Sequence, residues 1–152
     1  MTAAVPEGFR RLDVRDDFVG LVGPLWFKAE EDGLRIGLPL EQRHGNPMGV
    51  AHGGMLVTIA DMVMGVGSGF STGMFWPHPT ISLTSEFVRR AKLGQWLEGK
   101  ARIARRTINF CFASCDLVCG GEIVVGASGG FKVPDPGKIP EAARTAALSP
   151  PW

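Results

Sequence analysis

Gly53 and Gly54 follow His52 and open a long apolar run. A helix that starts there presents unpaired backbone N–H groups and partial positive charge, and glycine keeps a Cβ out of a ligand's approach. That combination suits an oxyanion or carbonyl-polarising site. Close packing of a helix on a sheet uses the same two glycines, and these residues alone leave both readings open. Asp61 is more informative: it is the only ionisable side chain between His52 and His78 and stands in an otherwise apolar segment. A buried carboxylate without partners is costly, so its presence asks for a poised general base or for a hydrogen bond that ties the helix to a strand.

The spacing adds geometry. Gly54 and Asp61 are seven apart, so they share a helix face but lie about 10.5 Å apart along it at ~1.5 Å per residue. Asp61 cannot easily reach a carbonyl held at the start of its own helix. If both act on one substrate, Asp61 comes from a second subunit, and a two-fold dimer with antiparallel helices supplies it.

Other motifs carry less. The run Gly126-Ala127-Ser128-Gly129-Gly130 matches a nucleophile-elbow pattern but lies in a strand, so Ser128 is incidental. Gly65, Gly67 and Gly69 close a helix instead of opening one, which excludes a phosphate-binding fingerprint. His44, His52 and His78 lack metal-ligand spacing with acids or cysteines, so no metal is expected. The three cysteines, Cys111, Cys115 and Cys119, are four apart in a strand, about 13 Å per step at ~3.3 Å per residue. They read as buried, reduced thiols of a cytoplasmic protein. Arg89, Arg90, Lys92, Arg105 and Arg106 are solvated strand ends by default; beside a ligand site they suit phosphate groups.

The elements that must position these residues follow from the pattern. Residues 6–12 suit a short helix. Two apolar runs, 24–30 and 34–40, flank Glu31-Asp32-Gly33, a hairpin signal. Residues 44–50 hold Gly45, Asn46, Pro47 and Gly49 and read as a loop. From Gly53 to about Gly67 nearly every position is apolar, so the helix is buried and must be wrapped by something. An aromatic, Gly/Pro-rich loop follows over 70–79. The remainder reads as strands: Ile81, Leu83 and Phe87 alternate with polar residues, as do Leu97, Ala101 and Ile103. Segments 110–118 and 123–133 join at Gly120-Gly121, a hairpin turn. Short connections predict an antiparallel meander. The result is an α+β domain, an antiparallel sheet wrapped around a long central helix. Residues 1–133 form one domain with its core in 19–133, and 134–152 is a Pro-rich tail that packs loosely, with a helical turn or two near 141–148.

The chain has 152 residues, 45% hydrophobic and 20% charged, with net charge +1. That allows one domain with a real core and gives no field suggestive of nucleic acid or membrane. No apolar run reads as long enough to span a bilayer, and residues 1–15 lack a signal-peptide core.

The stretch Asn46-x-x-Gly49-x-x-His52-Gly53-Gly54 followed by Asp61, then Phe87-Val-Arg-Arg-Ala-Lys-Leu-Gly94, resembles the hotdog-fold acyl-CoA thioesterases of the phenylacetate-degradation (PaaI-like) type. The resemblance runs from about residue 19 to 133. It implies that a backbone N–H of Gly53 or Gly54 polarises the thioester carbonyl, that Asn46 orients it, and that Asp61 of a neighbouring subunit is general base or nucleophile. It also implies a Ser or Thr at the start of the next strand that positions water: Thr80 by counting back from Ala91, with Ser82 as fallback. His52 becomes a loop-shaping or hydrogen-bonding residue, and Arg89 and Arg90 candidate contacts for coenzyme A. The family implies a homodimer with a continuous sheet, often paired into a homotetramer, with no cofactor. Two further readings stand beside it: a hotdog enoyl-CoA hydratase or dehydratase, and a non-catalytic acyl-CoA-binding hotdog protein.

Overall fold

The computed structural model describes residues 2–14 and 16–152. Its frame is a seven-stranded sheet with every pairing antiparallel: β1 (Arg10–Leu12), β2 (Leu25–Glu30), β3 (Gly33–Pro39), β4 (Thr80–Phe87), β5 (Trp96–Arg106), β6 (Phe110–Cys119) and β7 (Glu122–Lys132). The strand order is β1-β2-β3-β5-β6-β7-β4. The hairpins at Asp32-Gly33 and Gly120-Gly121 form where the turn residues place them, with Gly120 and Gly121 at φ 61 and 82.

The meander is interrupted once. β4 pairs with β7, and β5 pairs with β3, so β4 and β5 are not neighbours. Their eight-residue connection, 88–95, crosses three strand positions, roughly 14 Å at ~4.8 Å per strand. Eight residues reach that far with slack at ~3.3 Å each, so the short-connection argument fails here. The crossing is fixed where the Ala51 N–H donates to Ala91 O at 2.9 Å and Val50 bridges Lys92.

The central helix α2 (Gly53–Thr72) lies across the sheet. Leu56, Ile59, Ala60, Val63 and Met64 are buried against Ile36, Leu38, Leu97, Leu117, Val125 and Phe131. The helix runs five residues past Gly67 and stops at Gly73, which adopts φ 71 as a left-handed cap. The glycines read as its end are instead contact points: a Cβ on Gly67 would lie 2.4 Å from Ala101 Cβ on β5. At 20 residues, with mean hydropathy 1.3 over an 18-residue window, α2 is long and apolar enough to cross a membrane, which corrects the sequence reading. Packing of one face on the sheet accounts for much of that composition.

The helix is not wrapped all round. Within this chain the sheet covers one side, leaving Gly54 exposed and Thr58, Asp61, Met62 and Gly65 half-buried on the other. Edge strand β4 borders this open side, and Ile81, Phe87 and Val88 are among the exposed large apolar residues.

Residues 6–12 are not helical. Gly8 sits at φ 84 in a turn, and Arg10–Leu12 extends as β1 along β2. A short helix instead forms at α1 (Asp17–Val22), where Asp16 Oδ1 accepts from the Val19 N–H at 3.0 Å. The tail is also better packed than its prolines suggest. It contains α3 (Glu141–Ala147), buries Ile139 and Ala147, and sets Trp152 against Phe70 and Phe75 with ring centroids 5.9 and 5.3 Å away. Beside that contact His78 is buried; its Nδ1–H donates to Trp76 O at 2.8 Å, and burial pushes its pKa down.

Candidate active site

The start of α2 is built by a chain of short contacts. His52 is the N-cap, and its Nδ1 accepts from the Gly54 N–H at 3.0 Å. An imidazole thus does the work usually done by Ser, Thr, Asp or Asn. The Gly53 N–H donates to no described residue. Of the two candidate carbonyl-polarising donors, Gly54 is therefore engaged and Gly53 is open. A Cβ on Gly53 would touch the Phe87 ring at 3.3 Å, so the end of β4 lies over this glycine.

Asn46 shapes the loop before the helix. Its Oδ1 accepts from the Met48 and Val50 N–H groups at 2.9 and 3.4 Å, closing a turn in which Gly49 takes φ 73. With its oxygen committed to the loop, the amide nitrogen is the part left to donate to a ligand.

His44, which the sequence reading set aside with the other histidines, joins three pieces. Its Nδ1 accepts from the Glu41 N–H at 2.9 Å, so the ring proton is on Nε2 and donates to Val22 O at 2.8 Å. Its backbone oxygen accepts from the His52 N–H at 2.8 Å. One buried residue thus fastens the end of α1 to the residue that caps α2. Its signal in sequence was weak, because the partner atoms are backbone groups that leave no motif.

Asp61 is half-buried on the open face of α2 and not sealed in a core. The Thr80 hydroxyl, at the first position of β4, donates to Asp61 Oδ1 at 2.6 Å. Such a bond to a carboxylate is short and strong, and it fixes the carboxylate's direction. The structure therefore joins Asp61 and Thr80 within one chain.

Ser82 is not part of this group. The pairing of β4 with β7 shifts between Thr80 and Ser82, reversing which residues face the helix. Leu83 packs toward the core and Phe87 toward Gly53, while Ser82 Oγ is 3.4 Å from a Cβ placed on Gly130, beside the exposed Phe112. Ser82 thus lies on the outer face of the sheet, away from Asp61. Arg89 and Arg90 are exposed in the connection that passes the α2 start, and Arg89 pairs with Glu122 at 3.4 Å. The three cysteines are free and buried along β6; burial pushes the Cys115 thiol up to about 12.

A groove of about 460 Å³ opens at the helix start. Gly45, His52 and Gly54 line one end, Met55 and Thr58 continue it along α2, and Phe18, Leu21 and Val22 of α1 form the facing wall.

An antiparallel sheet packed on one long central helix is the hotdog fold. The chain belongs to the thioesterase superfamily, whose family model matches residues 48–125. It is 35% identical over 131 residues to a Pseudomonas aeruginosa protein provisionally named an esterase, covering 86% of this chain and 98% of that one. Among solved structures it is similar to a phenylacetic acid degradation-related protein of Ralstonia eutropha, provisionally named a thioesterase, with 26% identity, TM-score 0.69, and coverage of 80% and 92%. It shares its fold with a protein of Streptococcus pneumoniae, provisionally named a thioesterase and solved with coenzyme A, with 22% identity, TM-score 0.64, and coverage of 72% and 87%. The enzyme class is thereby thioester hydrolase.

Proposed function

We propose that this protein hydrolyses acyl-CoA thioesters to a free acid and coenzyme A, in a site shared by two copies of the chain. The observation that carries the reading is the Thr80–Asp61 hydrogen bond at 2.6 Å on the open face of α2. It orients one carboxylate oxygen and leaves the other free to act.

The Gly53 N–H, with partial positive charge from the helix behind it, takes the thioester carbonyl oxygen. Asn46 donates from its amide nitrogen, and His52 keeps the loop and the Gly54 N–H in place. Asp61 either deprotonates water or attacks the carbonyl carbon to form an anhydride that water then cleaves. In both routes the thiolate of coenzyme A leaves and is protonated. Thr80 is a positioning residue acting through Asp61.

Because Asp61 is about two helical turns from Gly54 in its own chain, ~10.5 Å along the axis, the carboxylate serves the substrate held by a partner. The open α2 face supports a second copy there. So does an eight-residue edge strand, Thr80–Phe87, with unpaired backbone groups along one side. Arg89 and Arg90, exposed near the helix start, suit the phosphates of coenzyme A. The Streptococcus pneumoniae relative with bound coenzyme A supports that substrate class. The test is thiol release from acyl-CoA by the purified protein, with Asp61→Asn as control; turnover by the variant at the wild-type rate would refute the assignment.

A further inference from the structure

We infer that the groove between α1 and the start of α2 receives the acyl group, and that Phe18, Leu21 and Met55 set its size and polarity. The inference rests on the reading that the helix start holds the thioester carbonyl. With the carbonyl there, the acyl chain leaves from the end of the groove lined by His52 and Gly54.

Two exposed apolar residues need a reason. Phe18 and Leu21, 60% and 74% exposed, stand on a six-residue helix and face the groove across from Met55. The wall they form is fixed in place. His44 Nε2 holds Val22 O, and Arg43 donates to Leu21 O and Gly23 O at 3.5 and 2.5 Å.

The same contacts decide the ligand's chemistry. Arg43 turns its guanidinium onto those carbonyls and onto Glu41, 2.9 Å away. The Thr58 hydroxyl donates back to Gly54 O at 3.0 Å, and both ring nitrogens of His44 are engaged. Away from His52, the polar side chains of the groove are occupied within the chain, and what faces the ligand is phenyl, isobutyl and thioether surface. A chain ending in a carboxylate would find the one guanidinium of the lining, Arg43, already committed to Glu41 and to backbone carbonyls. The groove therefore takes an uncharged apolar acyl group of medium size, alkyl or aryl.

The experiment compares thiol release from acetyl-, hexanoyl-, phenylacetyl- and glutaryl-CoA by the purified protein and by Leu21→Trp and Phe18→Ala, with oligomeric state measured alongside. For the wild type, kcat/KM for hexanoyl- or phenylacetyl-CoA should exceed that for acetyl- and glutaryl-CoA by about tenfold or more, the scale of methylene-level discrimination. Leu21→Trp fills the groove and should lower the hexanoyl-to-acetyl ratio about tenfold; Phe18→Ala should shift the ratio toward bulkier groups. Leu21 is mostly exposed, so its replacement leaves the core intact. A ratio unchanged in both variants, a wild-type preference for glutaryl-CoA, or a changed oligomeric state with unchanged ratio would overturn the inference. Absence of thiol release from every substrate by the wild type would instead overturn the underlying thioesterase reading.

Discussion

The Thr80 hydroxyl donates to Asp61 Oδ1 across 2.6 Å, tying the single carboxylate of α2 to the first residue of the edge strand β4. In the proposed mechanism this one hydrogen bond couples the catalytic carboxylate to the sheet edge.

Replacing Asp61 by Asn keeps shape and removes the charge. Turnover should fall by about 10²- to 10⁴-fold, the range for loss of a general base, with the oligomeric state unchanged in size-exclusion chromatography. Single-turnover hydrolysis in ¹⁸O-labelled water separates the two chemical routes: label entering Asp61 marks anhydride formation.

Thr80→Val removes a hydrogen bond to a charged group, worth about 1.5–3 kcal/mol. The expected loss in kcat is on the order of tenfold, with little change in KM. Thr80→Ser should restore most of it, while Ser82→Ala should leave kinetics near wild type, since Ser82 lies on the outer face of the sheet.

His52→Ala strips the N-cap of α2 and should cost about 1 kcal/mol in a urea unfolding curve. His52→Asn, whose side-chain oxygen can accept from the Gly54 N–H, should recover most of that stability. Equal stability of wild type and His52→Ala would mean that the cap contributes nothing.

Gly67→Ala sets two effects against each other. Alanine is favoured over glycine in a helix by about 0.8–1 kcal/mol, but the new Cβ would lie 2.4 Å from Ala101 Cβ, and overpacking costs about 1–3 kcal/mol. Net destabilisation is expected, relieved when Ala101→Gly is added; a more stable single variant would contradict the close approach.

Burial lowers the pKa of His78 below its ordinary 6.5. Between the lowered value and 6.5 the unfolded chain binds more protons than the folded one, so stability rises with pH in that window. The melting temperature should therefore fall as pH drops from about 7 toward 5, and His78→Asn should flatten that part of the profile. A His78→Asn profile as steep as wild type would show that other groups govern it.

Much of the fold was legible because its signals are local. The Asp32-Gly33 and Gly120-Gly121 turns, the alternation in β5 and the apolar run of α2 each report on their own segment. The position of β4 was not legible: only the crossing of 88–95, decided by contacts with Ala51 and Val50, separates β4 from β5. The C-terminal reach of α2 was missed because Gly65, Gly67 and Gly69 look like helix breakers until Ala101 on β5 is seen to need the space at Gly67 and the Met74 carbonyl the space at Gly69. At the site, the family's pattern named Asp61 and Thr80 as separate candidates, and the hydrogen bond that joins them follows from where β4 lies beside α2. The β-bulge that turns Ser82 away, the His52 cap on Gly54 and the His44 staple all depend on geometry between elements, to which residue spacing is blind.

In the proposed dimer each site draws its helix start from one chain and Asp61 from the other. Gly53→Pro deletes the open N–H at the first helical position, where proline is tolerated, and His52 before it already has the extended backbone that precedes proline, φ −68 and ψ 132. Alone, it should lose about 10²-fold in kcat, as for removal of one oxyanion donor. Unfolding and refolding this variant together with Asp61→Asn produces mixed dimers in which one of the two sites is intact. Recovery of about a quarter of wild-type thiol release is predicted for an equal mixture that reassorts freely. Mixed dimers that form but recover no activity would contradict a site shared between chains.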